Sequence, residues 1–186
     1  DNRILPNYSK GEEIANMITH IVGGAIGVCA LVLCVVFSSI KGNVYGIIGS
    51  CIFGIMMIFL YTTSSIYHGL NRNLKAKKVF QVIDHCTIFL LISGTYTPIL
   101  LCSVREYNNK LGWGLLIFIW LFAIIGIILN SIDLKRYKIF SLICYLGMGW
   151  SILMVGPKFI DIVGIKALIF LLIGGVLYTI GFIFYA

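Results

Sequence analysis

Six continuous apolar runs, about residues 17–40, 43–68, 82–103, 111–130, 138–156 and 163–186, account for most of the chain. A helix needs about 20 apolar residues to cross a hydrocarbon core of about 30 Å. The runs do not alternate apolar and polar positions, which separates them from the roughly 10-residue strands of a membrane barrel. The pattern predicts an all-α, polytopic membrane helix bundle in one domain, residues 1–186, with no soluble domain, repeat or low-complexity stretch. Helix one is expected to start near Gly11-Glu12-Glu13, where acidic groups suit the positive end of the helix dipole. The connections are short, and the longest is expected at 69–81. Pro98 is expected to kink the third helix, with the Thr hydroxyls of Gly94-Thr95-Tyr96-Thr97 available to freed backbone groups.

Composition agrees with this reading. Hydrophobic residues make up 60% of the chain and charged ones 11%, more apolar side chain than a soluble domain of 186 residues could bury. The 20 glycines suit helices that approach closely in lipid. No short signal-peptide pattern is visible, and the first apolar segment continues as a span. The net charge of +7 does not point to nucleic acid, because the basic residues lie in the connections. Arg3, Lys10, Arg72, Lys75, Lys77, Lys78, Lys135, Arg136 and Lys138 fall on one side. Lys41, Arg105, Lys110, Lys158 and Lys166 fall on the other. Nine against five predicts a cytoplasmic N-terminus in the cell membrane. The lysines of 69–81 read as a topology signal and lipid-phosphate contact. Cys29, Cys34, Cys51, Cys86, Cys102 and Cys144 form no CxxC pair and read as small buried hydrophobes.

The polar residues inside the runs then gain weight, since an ionisable group within a bilayer costs roughly 2.5 kcal/mol or more. Glu13, Asn16 and His20 are spaced 3 and 4, on one helix face. Met57, Tyr61, Ser64 and His68 share a face of run two, and Asp84, Thr87, Leu91 and Thr95 one of run three. All three faces reach the same end of the bundle. His68 and Asp84 are metal-ligand types, and helix bundles build such sites from inward side chains. Ser64 could orient an activated water or a substrate carbonyl. Each residue also has a structural reading. His68 can be a packing residue at a helix end, and Asp84 a partner of Lys78 or a helix cap. His20 reads as a hydrogen-bond partner of Glu13 or Asn16. His85, about 100° around the helix from Asp84, reads as a supporting or interface residue, and Tyr61, Tyr67 and Phe80 as packing.

Together, Glu12-Glu13-Ile14-Ala15-Asn16-Met17-Ile18-Thr19-His20, Ser64-x-x-x-His68 followed by Asp84, and Gly94-Thr95-Tyr96-Thr97-Pro98 resemble the hemolysin III family, the bacterial branch of the progestin and adipoQ receptor group. The resemblance covers nearly the whole chain. It implies a seven-helix fold and a zinc ion near the cytoplasmic boundary. His68 would be a direct ligand and Asp84 would hold a zinc-bound water, with two further His ligands from an HxxxH motif on helix seven. No HxxxH occurs here, and the chain starts at Asp1 and stops in an apolar run. The expectation is a version truncated before helix seven, with six of seven helices.

The wider superfamily resembles alkaline ceramidases. It implies a zinc-dependent hydrolase of lipid amides, with Ser64 and Asp84 as catalytic residues and membrane lipid as partner. Bacterial members are described as cytolytic, pore-forming proteins, which would need a continuous polar stripe or a homo-oligomer. The animal relatives suggest a ligand-sensing receptor.

Overall fold

The computed structural model describes residues 5–185, so Arg3, counted in the charge bias, lies outside the described residues. Helix α1 spans Lys10–Ile40 and starts one residue before the expected place. Ser9 caps it: its hydroxyl accepts from the Glu12 amide at 3.2 Å, while the Glu12 carboxylate accepts from the Ser9 amide at 2.7 Å. The turn back into α2, Val44–Gly69, passes through Gly42 at φ 64, a left-handed conformation that glycine adopts without steric penalty. Asn43 caps α2 through the Gly46 amide.

Helix α3, Lys75–Ile99, is the central element. It begins within the stretch expected as a connection, which therefore shrinks to Leu70–Leu74. Lys75, Ala76, Lys77 and Lys78 are good helix formers, and nothing among them breaks the turn. The helix does not stop at Pro98. It passes into a π-helical stretch, Leu100–Val104, and a last turn, Arg105–Tyr107. Proline removes the hydrogen bond that Gly94's carbonyl would accept, and a wider turn is one way of absorbing that loss. The expected hydroxyl compensation falls elsewhere: Thr97 donates to Ser93's carbonyl at 2.7 Å and Thr95 to Leu91's at 2.8 Å.

Helix α4, Asn109–Ile132, runs back along α3. Helix α5, Lys138–Gly149, gives way to a 3-10 stretch, Ser151–Val155, followed by the short α6, Phe159–Val163, and α7, Ile165–Tyr185. By length and composition, α1, α2, α3 with its extension, and α4 can each cross a membrane. The fifth run is not one helix. Twelve residues rise about 18 Å, and the 3-10 stretch adds about 10 Å, so the two together approach a bilayer core. Among the described residues there is no strand.

The core lies along α3. Phe89, Ile92, Tyr96, Leu100 and Val104 pack against Leu115, Ile119 and Ala123 of α4 and against Cys144, Tyr145 and Met148 of α5. Gly126 lets α4 approach: a Cβ there would stand 2.3 Å from the Phe89 ring. The outer faces of α1 and α4 stay apolar and exposed, as at Ile18, Ile21, Ile26, Val32, Ile117, Leu121 and Ile128, which suits contact with lipid. All six cysteines are free; Cys86 and Cys144 are buried and Cys29 is exposed on α1.

Candidate functional site

The up-and-down course of the helices brings the start of α1, the end of α2, the start of α3, the end of α4 and the start of α5 to one end of the bundle. A cavity of about 950 Å³ opens there. Its walls include six of the seven candidate site residues, Asn16, His20, Ser64, His68, Asp84 and His85, and leave out Glu13. Glu13 stands directly behind His68.

On one wall, the two oxygens of Glu13 have different partners. Oε2 accepts from Nδ1 of His68 at 2.7 Å, and Oε1 accepts from Nζ of Lys77 at 2.7 Å. Lys77 also donates to the carbonyl of Leu70 at 3.0 Å and lies over the Tyr67 ring at 5.1 Å. The His68 side chain is 8% exposed and Lys77 only 3%. Tyr67, Tyr8 and His20 surround the His68 ring, with centroids 4.7, 5.8 and 5.8 Å away. Burial, then the negative charges of Glu13, Asp84 and Glu12, pushes the Tyr8 phenol above its ordinary value. Tyr8 therefore brings a neutral hydroxyl to the cavity.

Deeper in the same wall, Nδ1 of His20 is 2.7 Å from Oγ of Ser64, and the His20 ring meets Tyr61 edge-on at 5.6 Å. This corrects the expectation that His20 bonds Glu13 or Asn16. Side chains at spacings of 3 and 4 stand side by side and point at the same neighbour, so Glu13 and His20 bond across to α2 rather than along α1.

Asp84 lies on the α3 wall, about two and a half turns inside the helix, so it is not a cap. Its backbone carbonyl accepts from the Thr87 hydroxyl at 2.7 Å, and its Oδ2 lies 3.9 Å from Nδ1 of His85. That ring nitrogen is 2.7 Å from the carbonyl of Gln81, which holds His85 along its own helix. The face drawn from Asp84 to Thr95 does not stay polar surroundings throughout: Thr87 is buried in packing and Thr95 is exposed.

The opposite wall was not legible as a site. Ser141 donates to Oδ1 of Asn130 at 2.5 Å, and Nδ2 of Asn130 donates to the Tyr145 hydroxyl at 3.4 Å. That hydroxyl donates to the carbonyl of His85 at 2.8 Å. All three side chains are buried. Signals for these residues do exist. Lys77, Gln81 and Asp84 are spaced 4 and 3, and Lys138, Ser141 and Tyr145 are spaced 3 and 4, each on one helix face.

Zinc is the metal the resemblance implies. The nitrogen of His68 not committed to Glu13 is a possible ligand, because ligating imidazoles commonly give their other N–H to a carboxylate. Asp84 could hold a water. A catalytic zinc centre takes three protein ligands, and among the described residues no three His, Cys, Asp or Glu side chains stand together as a metal group. The described residues do not complete a zinc site.

The profile of the family described as "Haemolysin-III related" matches residues 8–186. Hemolysin-3 of Bacillus cereus is 38% identical over 175 residues, covering 94% of this chain and 78% of that protein. A Hemolysin-3 homolog of Bacillus subtilis is 38% identical over 179 residues, covering 96% and 82%. The human monocyte to macrophage differentiation factor is 26% identical over 184 residues, covering 94% and 71%.

Proposed function

We propose that this chain, which belongs to the haemolysin-III related family and is a multi-pass membrane protein, hydrolyses lipid amides in the polar cavity at the end of its bundle. The observation that carries the reading is the 2.7 Å hydrogen bond between His20 and Ser64 in a cavity also lined by His68 and Asp84. Amide hydrolysis needs a base for the attacking water and a donor for the oxygen that gains charge. In this reading His20 donates through Nδ1 to Ser64, and the Ser64 hydroxyl donates to the substrate carbonyl. Asp84 takes a proton from the attacking water as its oxygen bonds the amide carbon, and returns it to the nitrogen as the C–N bond breaks, releasing fatty acid and amine. The exposed apolar faces leave the acyl chains in lipid while the amide reaches the cavity. Zinc, the metal the resemblance implies, would take His68 as one ligand, and its remaining ligands are not among the described residues. In this reading the chain lies in the cell membrane with its N-terminus in the cytoplasm, which the excess of Lys and Arg on that side supports.

The test is reconstitution into liposomes containing an N-acyl sphingosine, with released fatty acid measured by mass spectrometry. Release above protein-free liposomes that falls about 100-fold in Ser64→Ala and is lost in Asp84→Asn is expected. No release from the wild type overturns the reading.

A second reading, a cytolytic pore, is favoured by the name of the Bacillus cereus relative. Against it, no Asp, Glu, Lys or Arg occurs between Lys110 and Asp133 or between Lys138 and Lys158, so those segments supply no charged stripe across the membrane. Dye leakage from the same liposomes, unchanged in Ser64→Ala and Asp84→Asn and without fatty acid release, would put the pore in place of the hydrolase.

A further inference from the structure

Lys77 is one of three lysines in Lys75-Ala76-Lys77-Lys78, yet it alone of the three is buried. Burying an ammonium is costly unless its donors are satisfied. Here they meet Glu13 at 2.7 Å and the Leu70 carbonyl at 3.0 Å, and the charge faces the Tyr67 ring at 5.1 Å. The lysine thereby joins the start of α1, the end of α2 and the start of α3 at one point. A lysine that served only as a topology signal would gain nothing from this position.

Its consequence runs through Glu13. A carboxylate held at one oxygen only can rotate. Held at both, by Lys77 on Oε1 and His68 on Oε2, it is locked. An ionised carboxylate only accepts hydrogen bonds, so Nδ1 of His68 carries the hydrogen, and in the neutral ring Nε2 carries the lone pair. Free imidazole side chains prefer the other tautomer, so the arrangement opposes the intrinsic preference.

We propose that Lys77 is a positioning residue of this site: by clamping Glu13 it sets the His68 ring in its Nδ1–H form and leaves Nε2 as the acceptor offered at the cavity wall. The inference deepens the proposed function, and rests on it only where it concerns turnover.

The experiment reads the tautomer directly. Chain labelled with 15N-histidine is studied in detergent micelles with chelator present, by two-bond 15N–1H correlation. His68 is assigned from the signals lost in His68→Gln. In the wild type His68 is expected in the Nδ1–H form. Lys77→Met is expected to shift it towards Nε2–H. Glu13→Gln is expected to invert it: Lys77 still requires an acceptor, so the amide oxygen turns to Lys77 and the NH2 group donates to Nδ1 of His68. Adding Lys77→Met to Glu13→Gln is expected to abolish that inversion.

A merely structural lysine would loosen the bundle and leave the tautomer alone. An unchanged His68 spectrum in folded Lys77→Met, or no inversion in Glu13→Gln, overturns the proposal. Should Lys77→Met fail to fold, the Glu13→Gln arm still decides. If the wild type turns over a lipid amide with His68 ligating a metal, Lys77→Met is expected to lower turnover about 10–100-fold, the range for outer partners of a metal-ligating imidazole. A wild type without turnover removes the hydrolase reading and leaves the tautomer result standing.

Discussion

Nδ1 of His20 and Oγ of Ser64 lie 2.7 Å apart although 44 residues separate them in the chain. The contact needs α1 and α2 to pack with small residues at their crossings. Gly54 accepts Leu31 where a Cβ would stand 2.5 Å from that side chain. It joins two residues whose types suit catalysis and whose separate helices give no local reason for them to meet.

If the pair works as a unit, its members should not act independently. Ser64→Ala and His20→Gln are each expected to lower turnover about 100-fold, the range for loss of one donor to a developing oxyanion. The double variant is expected to be no worse than the poorer single variant. Initial rates of fatty acid release from all four proteins check this, and effects that multiply would separate the two residues.

The Asn130 network offers a stability test independent of function. Asn130→Leu leaves Ser141 and Tyr145 without their shared partner in a buried place. A loss of about 1–3 kcal/mol is expected. Adding Ser141→Ala should recover part of it, because the buried hydroxyl that lost its acceptor is then gone, while Tyr145 keeps its bond to the carbonyl of His85. Denaturant unfolding in micelles, followed by tryptophan fluorescence, measures both.

Close packing of α3 on α4 makes glycine positions unequal. Gly126→Ala puts a methyl group against the fully buried Phe89 ring, which has no room to give. A loss of about 1–3 kcal/mol is expected. On the same helix, the space at Gly114 is open, so Gly114→Ala should be neutral or gain up to about 1 kcal/mol from helix propensity. Thermal unfolding of the two variants side by side gives the comparison.

Orientation can be read from the connection Leu70–Leu74. A cysteine at exposed Asn73, in a chain lacking its six native cysteines, is expected to resist an impermeant thiol reagent in intact cells and to react after permeabilisation. Labelling from outside would reverse the proposed topology and place the cavity at the outer surface.

Metal content follows from the ligand count. The described residues offer one oriented imidazole and one carboxylate, so this chain is expected to retain well under one zinc per molecule after dialysis against a weak chelator. Elemental analysis decides it. One tightly held zinc per chain would require a ligand set different from the one seen here.

Much of the fold was readable because lipid imposes a simple rule: spanning segments are long, apolar and helical, so hydropathy and length identify them. The exception, run 138–156, fails as one helix although it is apolar throughout. Hydropathy reports what a segment can be buried in. It does not report the change at Trp150 from an α-helix to a 3-10 turn. The start of α3 was missed for the opposite reason: lysines look like a connection by polarity, while their helix propensity is high.

The sequence alone determined which polar residues share a helix face and which end of the bundle they reach, because helical spacing of 3 and 4 places Glu13 with His20 and Ser64 with His68 on single faces. It also carried the charge bias and the absence of an HxxxH pair. Only the tertiary structure decided the partners. Spacing fixes the face a side chain occupies, but a hydrogen bond depends on how two helices are rotated and shifted against each other, which their glycines and bulky residues set at each crossing. That is why His20 turns to Ser64, why Glu13 is divided between His68 and Lys77, and why one lysine of three is buried. It is also why Asn130, Ser141 and Tyr145, three unremarked residues on two helices, form the far wall of the cavity.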